Sequence, residues 1–214
     1  PTNALFALAN MLNKVLDNVN PDYALIAFDT DKKTFRHEEY GDYKAGRKPA
    51  PDELVAQFPL AREMVTKMGL KCYELAGYEA DDILGTLAKK AEAEGREVTL
   101  VSGDRDLLQI ASEHIKIRIP KTKGGRTETE DYYAKDVVEK YQVTPTEFID
   151  VKALMGDTSD NIPGVKGIGE KTAINLLVKY GSLDGLYENI DSVTGKTKEK
   201  LLADKDNAYM SYDL

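Results

Sequence analysis

The sequence has one cysteine, two histidines and no apolar run that approaches the roughly 18–20 residues needed to span a bilayer. The single Cys72 excludes an internal disulfide and fits a reducing compartment, where an ordinary strand residue is the favoured role. His37 and His114 lie far apart, which excludes a histidine-rich zinc site and argues against a Ser-His-Asp catalytic site. No signal peptide is visible, because Pro1 opens directly into a helical pattern. These absences favour a cytoplasmic protein.

The formal net charge of -8 argues, at first sight, against a nucleic-acid partner. That objection weakens if many of the acids bind metal, because two divalent ions would cancel about four negative charges. The 214 residues, 42% of them hydrophobic, are enough for one substantial core, or for a core domain with a smaller lobe.

Two apolar runs of strand length, Tyr23–Phe28 and Val98–Val101, predict strands that are covered on both faces, as in a parallel α/β sheet. Further elements are predicted from periodicity and turn residues: helices over 2–16, 52–68 and 79–94, strands over 71–75 and 115–119, and a hairpin or loop over 121–129. The expected fold class is therefore α/β, with a mostly parallel central sheet flanked by helices.

Acidic side chains follow both predicted strands and open one predicted helix. These candidate metal ligands are Asp29, Glu79, Asp81, Asp82, Asp104 and Asp106. Strand ends of a parallel sheet meet at one edge, and carboxylates converge mainly where a cation neutralises them. Oxygen ligands of this kind suit Mg²⁺ or Mn²⁺. Turn and cap roles explain one or two of the acids, and three acids within 79–82 go beyond ordinary capping.

From residue 134 the pattern changes to short helices over 135–141, 145–155, 171–180, 183–188 and 198–202, which predicts a small helical lobe. The stretch 156–173 adds Asp157 and Asp160 as candidate ligands and a glycine-rich turn whose N–H groups could face a phosphate. A glycine-rich helix connection without any ligand is the plainer alternative. A P-loop does not fit, because Glu170 separates the last glycine from Lys171 and the preceding segment is helical.

The segment 31–51 is polar and mixes cations with tyrosines. Lys44 and Arg47 are three apart, so one helical turn would aim both in the same direction. Tyr40 and Tyr43 could offer stacking faces to bases, while cations meet phosphates. A solvated charged loop is the common alternative for such a segment.

Taken together and in order, these motifs resemble the 5′ nuclease (5′–3′ exonuclease) domain of bacterial DNA polymerase I, within the flap endonuclease superfamily. The resemblance covers essentially the whole chain and rests on Phe28-Asp29, Phe35-Arg36-His37, Tyr43-Lys44-Ala45-Gly46-Arg47, Tyr78-Glu79-Ala80-Asp81-Asp82, Ser102-Gly103-Asp104-Arg105-Asp106, Gly156-Asp157-Thr158-Ser159-Asp160-Asn161 and Gly164-Val165-Lys166-Gly167-Ile168-Gly169. It implies a domain arrangement with an α/β nuclease core over 1–133, including a helical arch at about 31–51, and a helical DNA-binding lobe over 134–214.

The resemblance also implies a nuclease that uses two Mg²⁺ or Mn²⁺ ions on 5′ ends and 5′ flaps of branched or nicked DNA, in replication and repair. Asp29, Glu79, Asp81 and Asp82 are similar to ligands of the first metal, and Asp104, Asp106, Asp157 and Asp160 to those of the second. Lys44 and Arg47 resemble catalytic arch residues. The implied DNA contacts are Arg36, Tyr43, Gly164, Lys166, Gly167, Gly169, Lys171 and Thr172, and the last six belong to a helix–three-turn–helix motif that binds K⁺ in many family members.

The chain departs from the family pattern at its start, where the family has another strand that carries a metal-ligand Asp. Without that strand the sheet would have one strand fewer and the first metal site one ligand fewer. This keeps open a module that binds branched DNA without cutting it. A related metal-dependent RNase is a further alternative to the nuclease. The other expectations are a monomer, a covalently linked polymerase domain in the full-length protein, and a bacterial, nucleoid-associated location in the cytoplasm.

Overall fold

The protein is described by a computed structural model that covers residues 1–214. The α-helices are α1 (Asn3–Val19), α2 (Phe35–Glu39), α3 (Asp52–Val55), α4 (Phe58–Lys67), α5 (Ala80–Ala93), α6 (Ala134–Tyr141), α7 (Pro145–Met155), α8 (Glu170–Tyr180), α9 (Leu183–Glu188), α10 (Gly195–Ala203) and α11 (Lys205–Asp213). The strands are β1 (Leu25–Ala27), β2 (Lys71–Tyr73), β3 (Val98–Val101), β4 (Ile115–Lys123) and β5 (Arg126–Tyr132). Two 3-10 helices span Arg105–Ile110 and Ile190–Ser192. No helix is long and apolar enough to cross a membrane.

The chain divides into two compact units, one formed by residues 1–35 and 47–84 and the other by residues 36–46 and 85–214. In the first unit β1 pairs in parallel with β2, with Ile26 opposite Cys72. The buried Gln57 accepts a hydrogen bond from the backbone of Ala4 at 2.9 Å and donates one to the side chain of Asn3 at 3.0 Å. This one side chain therefore ties the start of α1 to the junction between α3 and α4.

The single helix predicted over 52–68 is in fact two helices, α3 and α4, with a break at residues 56–57. Pro59 lies in the first turn of α4. Proline has no N–H to donate to the carbonyl four residues earlier, so a helix tends to begin rather than continue there. Gln57, whose side chain contacts the start of α1, is the residue just before α4.

In the second unit β3 pairs in parallel with β4, and β4 forms an antiparallel hairpin with β5. The predicted hairpin is confirmed, and its two turn residues Gly124 and Gly125 have φ of 57° and 77°. Positive φ at both positions is what a two-residue hairpin turn of type I′ requires, and glycine adopts it without strain. The alternating side chains of Ile115, Ile117 and Ile119 are buried and form the core face of β4.

The helical part of this unit is centred on α7, which packs against α8, α11 and the 3-10 helix Arg105–Ile110. Phe148, Val151 and Leu154 of α7 are buried. The sequence did not indicate α11, because it is polar along most of its length and buries only Ala208 and Ser211. A helix whose buried side consists of small residues leaves almost no hydrophobic period in the sequence.

The predicted fold class, α/β with flanking helices and a helical C-terminal region, is confirmed, and two of the three strand pairings are parallel. The strands form two small sheets rather than one central sheet. The prediction that the first strand is covered on both faces is wrong, since Leu25 is 36% exposed and all of β2 is exposed. The domain boundary predicted at residue 134 stays a prediction.

Candidate metal centre

The acids of the first unit gather around the N-terminus of α5. Asp29, which follows β1, accepts a hydrogen bond from the backbone N–H of Ala80 at 2.7 Å. Asp82 accepts one from the backbone N–H of Glu79 at 2.9 Å, and Asp81 lies beside it in the first turn of α5. The carboxylates are drawn to this end because the free N–H groups of a helix start carry partial positive charge. Asp29, Asp81 and Asp82 thus lie at the start of α5, and the binding of a metal by these acids and Glu79 stays a prediction.

The acids of the second unit form a tighter group. One carboxylate oxygen from each of Asp106, Asp157 and Asp160 lies within 4.8 Å of the others, close enough to share one cation. Asp106 comes from the 3-10 helix after β3, and the other two come from the turn after α7. Asp160 is only 5% exposed. Three carboxylates held this close repel one another unless a positive charge lies among them.

Asp104, the fourth acid predicted for this group, has a different position. It is the N-cap residue of the 3-10 helix Arg105–Ile110, where its carboxylate accepts a hydrogen bond from the backbone N–H of Asp106 at 2.8 Å. It lies beside the cluster rather than within it. Its capping bond fixes the backbone of Asp106, which is itself in the cluster, so Asp104 still contributes to the geometry of the centre.

Lys152 supplies the positive charge that the sequence interpretation did not find. Its ammonium nitrogen lies 2.9 Å from a carboxylate oxygen of Asp157 and 3.2 Å from one of Asp106. The available signal was a single cation within the otherwise apolar second half of α7, five residues before Asp157. Burial would lower the pKa of Lys152, but the charges of Asp106 and Asp157 outweigh it and raise the pKa above its ordinary value.

The two carboxylates that Lys152 contacts differ in their affinity for protons. Burial raises the pKa of Asp106 to about 6, with Lys152 opposing the shift and the charges of Asp104 and Asp157 adding to it. Burial also acts to raise the pKa of Asp157, but hydrogen bonds from Ser159 and Lys152 outweigh burial and hold that pKa at about 2. Asp157 is therefore a permanent anion at neutral pH, while the charge of Asp106 depends on its neighbours.

The turn that carries Asp157 and Asp160 is built on two glycines in close approach. A Cβ on Gly164 would lie 2.4 Å from the backbone nitrogen of Gly156, and a Cβ on Gly156 would lie 2.5 Å from the carbonyl oxygen of Ile162. Both glycines have positive φ, 68° at Gly156 and 56° at Gly164. The turn can close at this distance because neither residue has a side chain.

The glycine-rich turn after it is held by the protein's own groups. The backbone N–H of Gly164 donates to the hydroxyl of Ser211 at 3.0 Å, and that of Lys166 donates to a carboxylate oxygen of Asp204 at 2.9 Å. These N–H groups are therefore not available to a phosphate, contrary to the expectation for this turn. Free donors remain at the start of α8, whose N-cap is Gly169 and whose first-turn N–H groups have no acceptor within the helix.

The remaining residues predicted for the turn lie around these donors. Lys166 and Lys171 are exposed, and Thr172 is half-buried on α8. Gly167 has φ of 81°, and its carbonyl accepts a hydrogen bond from the ammonium of Lys200 at 3.2 Å. The expected K⁺ stays a prediction; the cation that this structure places at the turn is Lys200.

The segment 31–51 differs from its prediction in its backbone and in the placement of its side chains. Residues 41–46 form successive turns, and Lys44 has φ of 57°, so the helical turn expected to align Lys44 with Arg47 does not form. Arg47 is exposed and belongs to the first compact unit, whereas Lys44 belongs to the second. Tyr43 is only 4% exposed, with its ring edge-on to His37, so it is not positioned to stack on a base. Arg36 is half-buried and donates from Nε to the carbonyl of Leu214.

Comparison with known proteins identifies the family. A model of the 5′-3′ exonuclease N-terminal, resolvase-like domain matches residues 1–142, and a model of the 5′-3′ exonuclease C-terminal SAM fold matches residues 143–214. DNA polymerase I of Streptococcus pneumoniae strain R6 is 51% identical over 214 residues, which are 100% of this chain and 24% of that protein. DNA polymerase I of Bacillus caldotenax is 50% identical over 214 residues, with the same coverage. The chain thus spans about a quarter of the length of these relatives.

Solved structures agree on the fold. A bacteriophage T5 5′-exonuclease with bound divalent metal ions matches with a TM-score of 0.77 at 24% identity, and the match covers 96% of this chain and 78% of the T5 chain. A T5 flap endonuclease complex with DNA and metal ions matches with a TM-score of 0.76 at 24% identity, over 99% and 79%. The catalytic core of Rad2 with a DNA substrate matches with a TM-score of 0.56 at 17% identity, over 87% and 61%.

These findings confirm the resemblance inferred from the sequence motifs. The two family models meet at residue 142 and together account for every residue. The chain therefore belongs to the 5′–3′ exonuclease family and comprises the N-terminal resolvase-like domain and the C-terminal SAM fold of that family.

Proposed function

We propose that this chain is a structure-specific nuclease that hydrolyses phosphodiester bonds at 5′ ends and 5′ flaps of branched DNA with two divalent metal ions. The observation that carries the proposal is the cluster of Asp106, Asp157 and Asp160, whose carboxylate oxygens lie within 4.8 Å of one another in a chain of this family. Three carboxylates at this separation repel one another, and a divalent cation bound among them would remove that repulsion.

The donor set fits a hard divalent ion, because every candidate ligand is a carboxylate oxygen. Asp106, Asp157 and Asp160 would hold one ion, and the acids around the N-terminus of α5 would hold the other: Asp29, Glu79, Asp81 and Asp82. Mg²⁺ or Mn²⁺ bound by such ligands activates water at neutral pH and stabilises charge on the leaving oxygen. Lys152 shows that the second group already favours a cation, since its ammonium contacts two of the three carboxylates.

The cationic side chains of the chain would bind the phosphates of the DNA. Lys44 and Arg47 would stabilise negative charge on the phosphate as the bond breaks. Lys166, Lys171 and the free N–H groups at the start of α8 would contact the duplex backbone, which positions DNA without reading its sequence. Cutting is therefore expected to depend on the shape of the substrate and to tolerate its sequence.

Several finer expectations belong to the same proposal. Mg²⁺ is the expected physiological ion, with K⁺ at the glycine-rich turn. The chain is expected to act as a monomer in the bacterial cytoplasm, near the nucleoid, and to be joined to a polymerase domain in the full-length protein. The relatives named DNA polymerase I support the last point, because this chain matches about a quarter of each.

The test uses a synthetic 5′-flap duplex, with cleavage and binding measured on one preparation. Cleavage should require Mg²⁺ and stop in EDTA. Asp106→Asn should lower turnover by about 100-fold or more because it removes a ligand charge, while its DNA affinity stays near that of the unmodified protein. Asp106 suits this change because its described side-chain contact is an ion pair with Lys152, not a capping bond.

Asp191→Asn is the matched control, since Asp191 is exposed and pairs with Lys198 at 3.1 Å. Undiminished cleavage in EDTA would reject the metal scheme. Binding without cleavage in Mg²⁺ would instead identify a module that holds branched DNA. Preference for a matched RNA flap over the DNA flap would identify an RNase.

A further inference from the structure

Two hydrogen bonds tie the segment of residues 36–46, which carries Lys44, to the turn that carries the acidic cluster. The backbone N–H of Lys44 donates to the backbone carbonyl of Asp160 at 2.8 Å. The side-chain amide of Asn161 donates to the backbone carbonyl of Asp42 at 2.8 Å. The two bonds run in opposite directions between neighbouring residues, so the segment and the turn hold each other at two points.

Both sides of this connection have a constrained backbone. Lys44 and Asn161 each have φ of 57°, in the left-handed region that asparagine tolerates better than most residues. The turn is closed by a pair of backbone hydrogen bonds between Asp157 and Ile162, at 2.9 and 2.8 Å. Such positions persist only where the surrounding contacts determine them, which here are the two bonds and the turn closure.

The connection joins two chemically different parts of the proposed site. The side chain of Asp160 belongs to the acidic cluster, while its carbonyl holds the backbone of Lys44. The next residue, Asn161, holds Asp42 from its side chain. The carbonyl of Asp160 thus connects the acidic cluster to the backbone of Lys44, and the Asn161 side chain adds a second connection two residues earlier in the segment, at Asp42.

We infer that Asn161 is a positioning residue, which fixes the backbone of residues 42–44 to the metal-binding turn so that cation binding by Asp157 and Asp160 also sets the position of Lys44. This inference rests on the proposed function for the roles of the acids and of Lys44. It goes beyond that function because it makes the segment 36–46 ordered by the cation, rather than by the DNA alone.

The first test measures hydrogen exchange of the backbone amides in residues 36–46 of the full chain, with and without Mg²⁺ and without DNA. Mg²⁺ should slow exchange of the Lys44 amide in the unmodified protein. Asn161→Gly removes the side-chain donor and tolerates the positive φ; exchange at Lys44 should become about fivefold faster, the equivalent of one lost hydrogen bond. The Mg²⁺ effect on Lys44 should also shrink.

Asn189→Gly is the matched control, because Asn189 donates from its side-chain amide to the carbonyl of Gly185 at the same 2.8 Å. It should leave exchange in residues 36–46 unchanged. Asn161→Asp serves if Asn161→Gly does not fold, since aspartate also tolerates this φ but is ionised and cannot donate. Exchange at Lys44 that is unaffected by Mg²⁺, or equal in the Asn161 variants and the unmodified protein, would overturn the inference.

The second test separates positioning from general destabilisation. On the 5′-flap duplex Asn161→Gly should lower kcat about tenfold with little change in KM, and it should add nothing in a Lys44→Ala background. Independent, additive effects of the two substitutions would contradict the inference. An unmodified protein that does not cleave would reject the proposed nuclease function, while the exchange measurement would still decide the link between the turn and the segment.

Discussion

The ammonium nitrogen of Lys152 lies 2.9 Å from a carboxylate oxygen of Asp157, inside the group of acids that would hold a divalent ion. The same ammonium lies 3.2 Å from Asp106. In the absence of metal, Lys152 thus neutralises part of the repulsion between the acids. The same charge opposes the entry of a divalent cation. Lys152 therefore stabilises the cluster in the absence of metal and lowers the affinity of the cluster for a divalent ion.

Replacement of Lys152 by glutamine should therefore strengthen metal binding in the absence of DNA. A unit charge about 4 Å away contributes about 1 kcal/mol in water and about 4 kcal/mol at an effective dielectric constant of 20. The affinity for Mn²⁺ should rise by about fivefold or more. Titration calorimetry, or the loss of the free Mn²⁺ signal in electron paramagnetic resonance, measures this directly.

The controls for this prediction are available in the same chain. Lys152→Arg keeps the charge and should keep the original affinity. Lys198→Gln removes a lysine that pairs with an exposed aspartate, Asp191, at 3.1 Å, and should have no effect. An unchanged or weaker Mn²⁺ affinity in Lys152→Gln would show that the ammonium is not a competitor of the metal.

A second prediction concerns the close approach of Gly164 to Gly156. Gly164→Ala should destabilise the protein by about 4 kcal/mol or more, a loss typical of severe steric conflict. The reason is that its Cβ would lie 2.4 Å from the backbone nitrogen of Gly156, which is not the end of a flexible side chain. Urea unfolding of the two proteins gives the difference in free energy of unfolding.

Gly95→Ala separates the steric effect from the effect of backbone conformation. Gly95 also has positive φ, 79°, but nothing lies within 4 Å of its added Cβ. Gly95→Ala should lower the free energy of unfolding by only about 1–2 kcal/mol, which is the cost of the left-handed conformation for an alanine. Equal losses at both positions would mean that the turn yields around a methyl group and that the close approach is not required.

The expectation that parallel strands deliver their acids to one edge does not hold, because β1 and β3 belong to two separate sheets. The sequence nevertheless named Asp106, Asp157 and Asp160 for one metal, and their carboxylates lie together. It could not predict Lys152, since a lone lysine on a helix is ordinary and only the fold brings it against Asp106 and Asp157. The sequence also could not predict the burial of Tyr43, because a tyrosine between charged residues is typical of an exposed segment, yet its side chain is only 4% exposed.

The errors in the fold have similar causes. Apolar runs predict buried strands on the assumption of a wide sheet, but β1 has only β2 beside it, and Leu25 remains exposed. The short helix α11 carries little hydrophobic pattern, yet its Ser211 accepts a hydrogen bond from the backbone of Gly164 and so supports the glycine-rich turn. Contacts made through small or polar side chains leave no periodic signal.

A third prediction uses the ion pair between Arg118 and Asp131, which lie directly opposite each other on β4 and β5. Two hydrogen bonds join them, at 2.8 and 2.9 Å, and the one from Arg118 is the first cause that holds the pKa of Asp131 below its ordinary value. Asp131→Asn should lower the free energy of unfolding at pH 7 by about 1 kcal/mol, since Asp131 is partly exposed and screened.

The sign of the pH dependence follows from the direction of that shift. A carboxylate whose pKa is lowered by folding stabilises the protein above its ordinary pKa and loses this contribution as the pH falls through the lowered value. Unfolding by urea at pH 7 and again in strong acid should show the difference between Asp131→Asn and the unmodified protein shrinking toward zero. Asp191→Asn should show no difference at either pH. A difference that persists in acid would assign the effect to lost packing.

The last prediction concerns the lysines of the glycine-rich turn and the start of α8. Lys166 and Lys171 are exposed and lie next to the free N–H groups of that helix. If each contacts a phosphate, Lys166→Ala and Lys171→Ala should each weaken binding of flap duplexes of different sequence by the same factor. Each should also reduce the slope of log affinity against log salt by about 1, because one fewer counterion is released. Lys67→Ala is the control, since Lys67 is exposed on α4 and pairs with Glu63 at 2.8 Å. A salt slope unchanged by the two substitutions, or a loss confined to one DNA sequence, would place the duplex elsewhere on the protein, because a lysine that neutralises no phosphate releases no counterion.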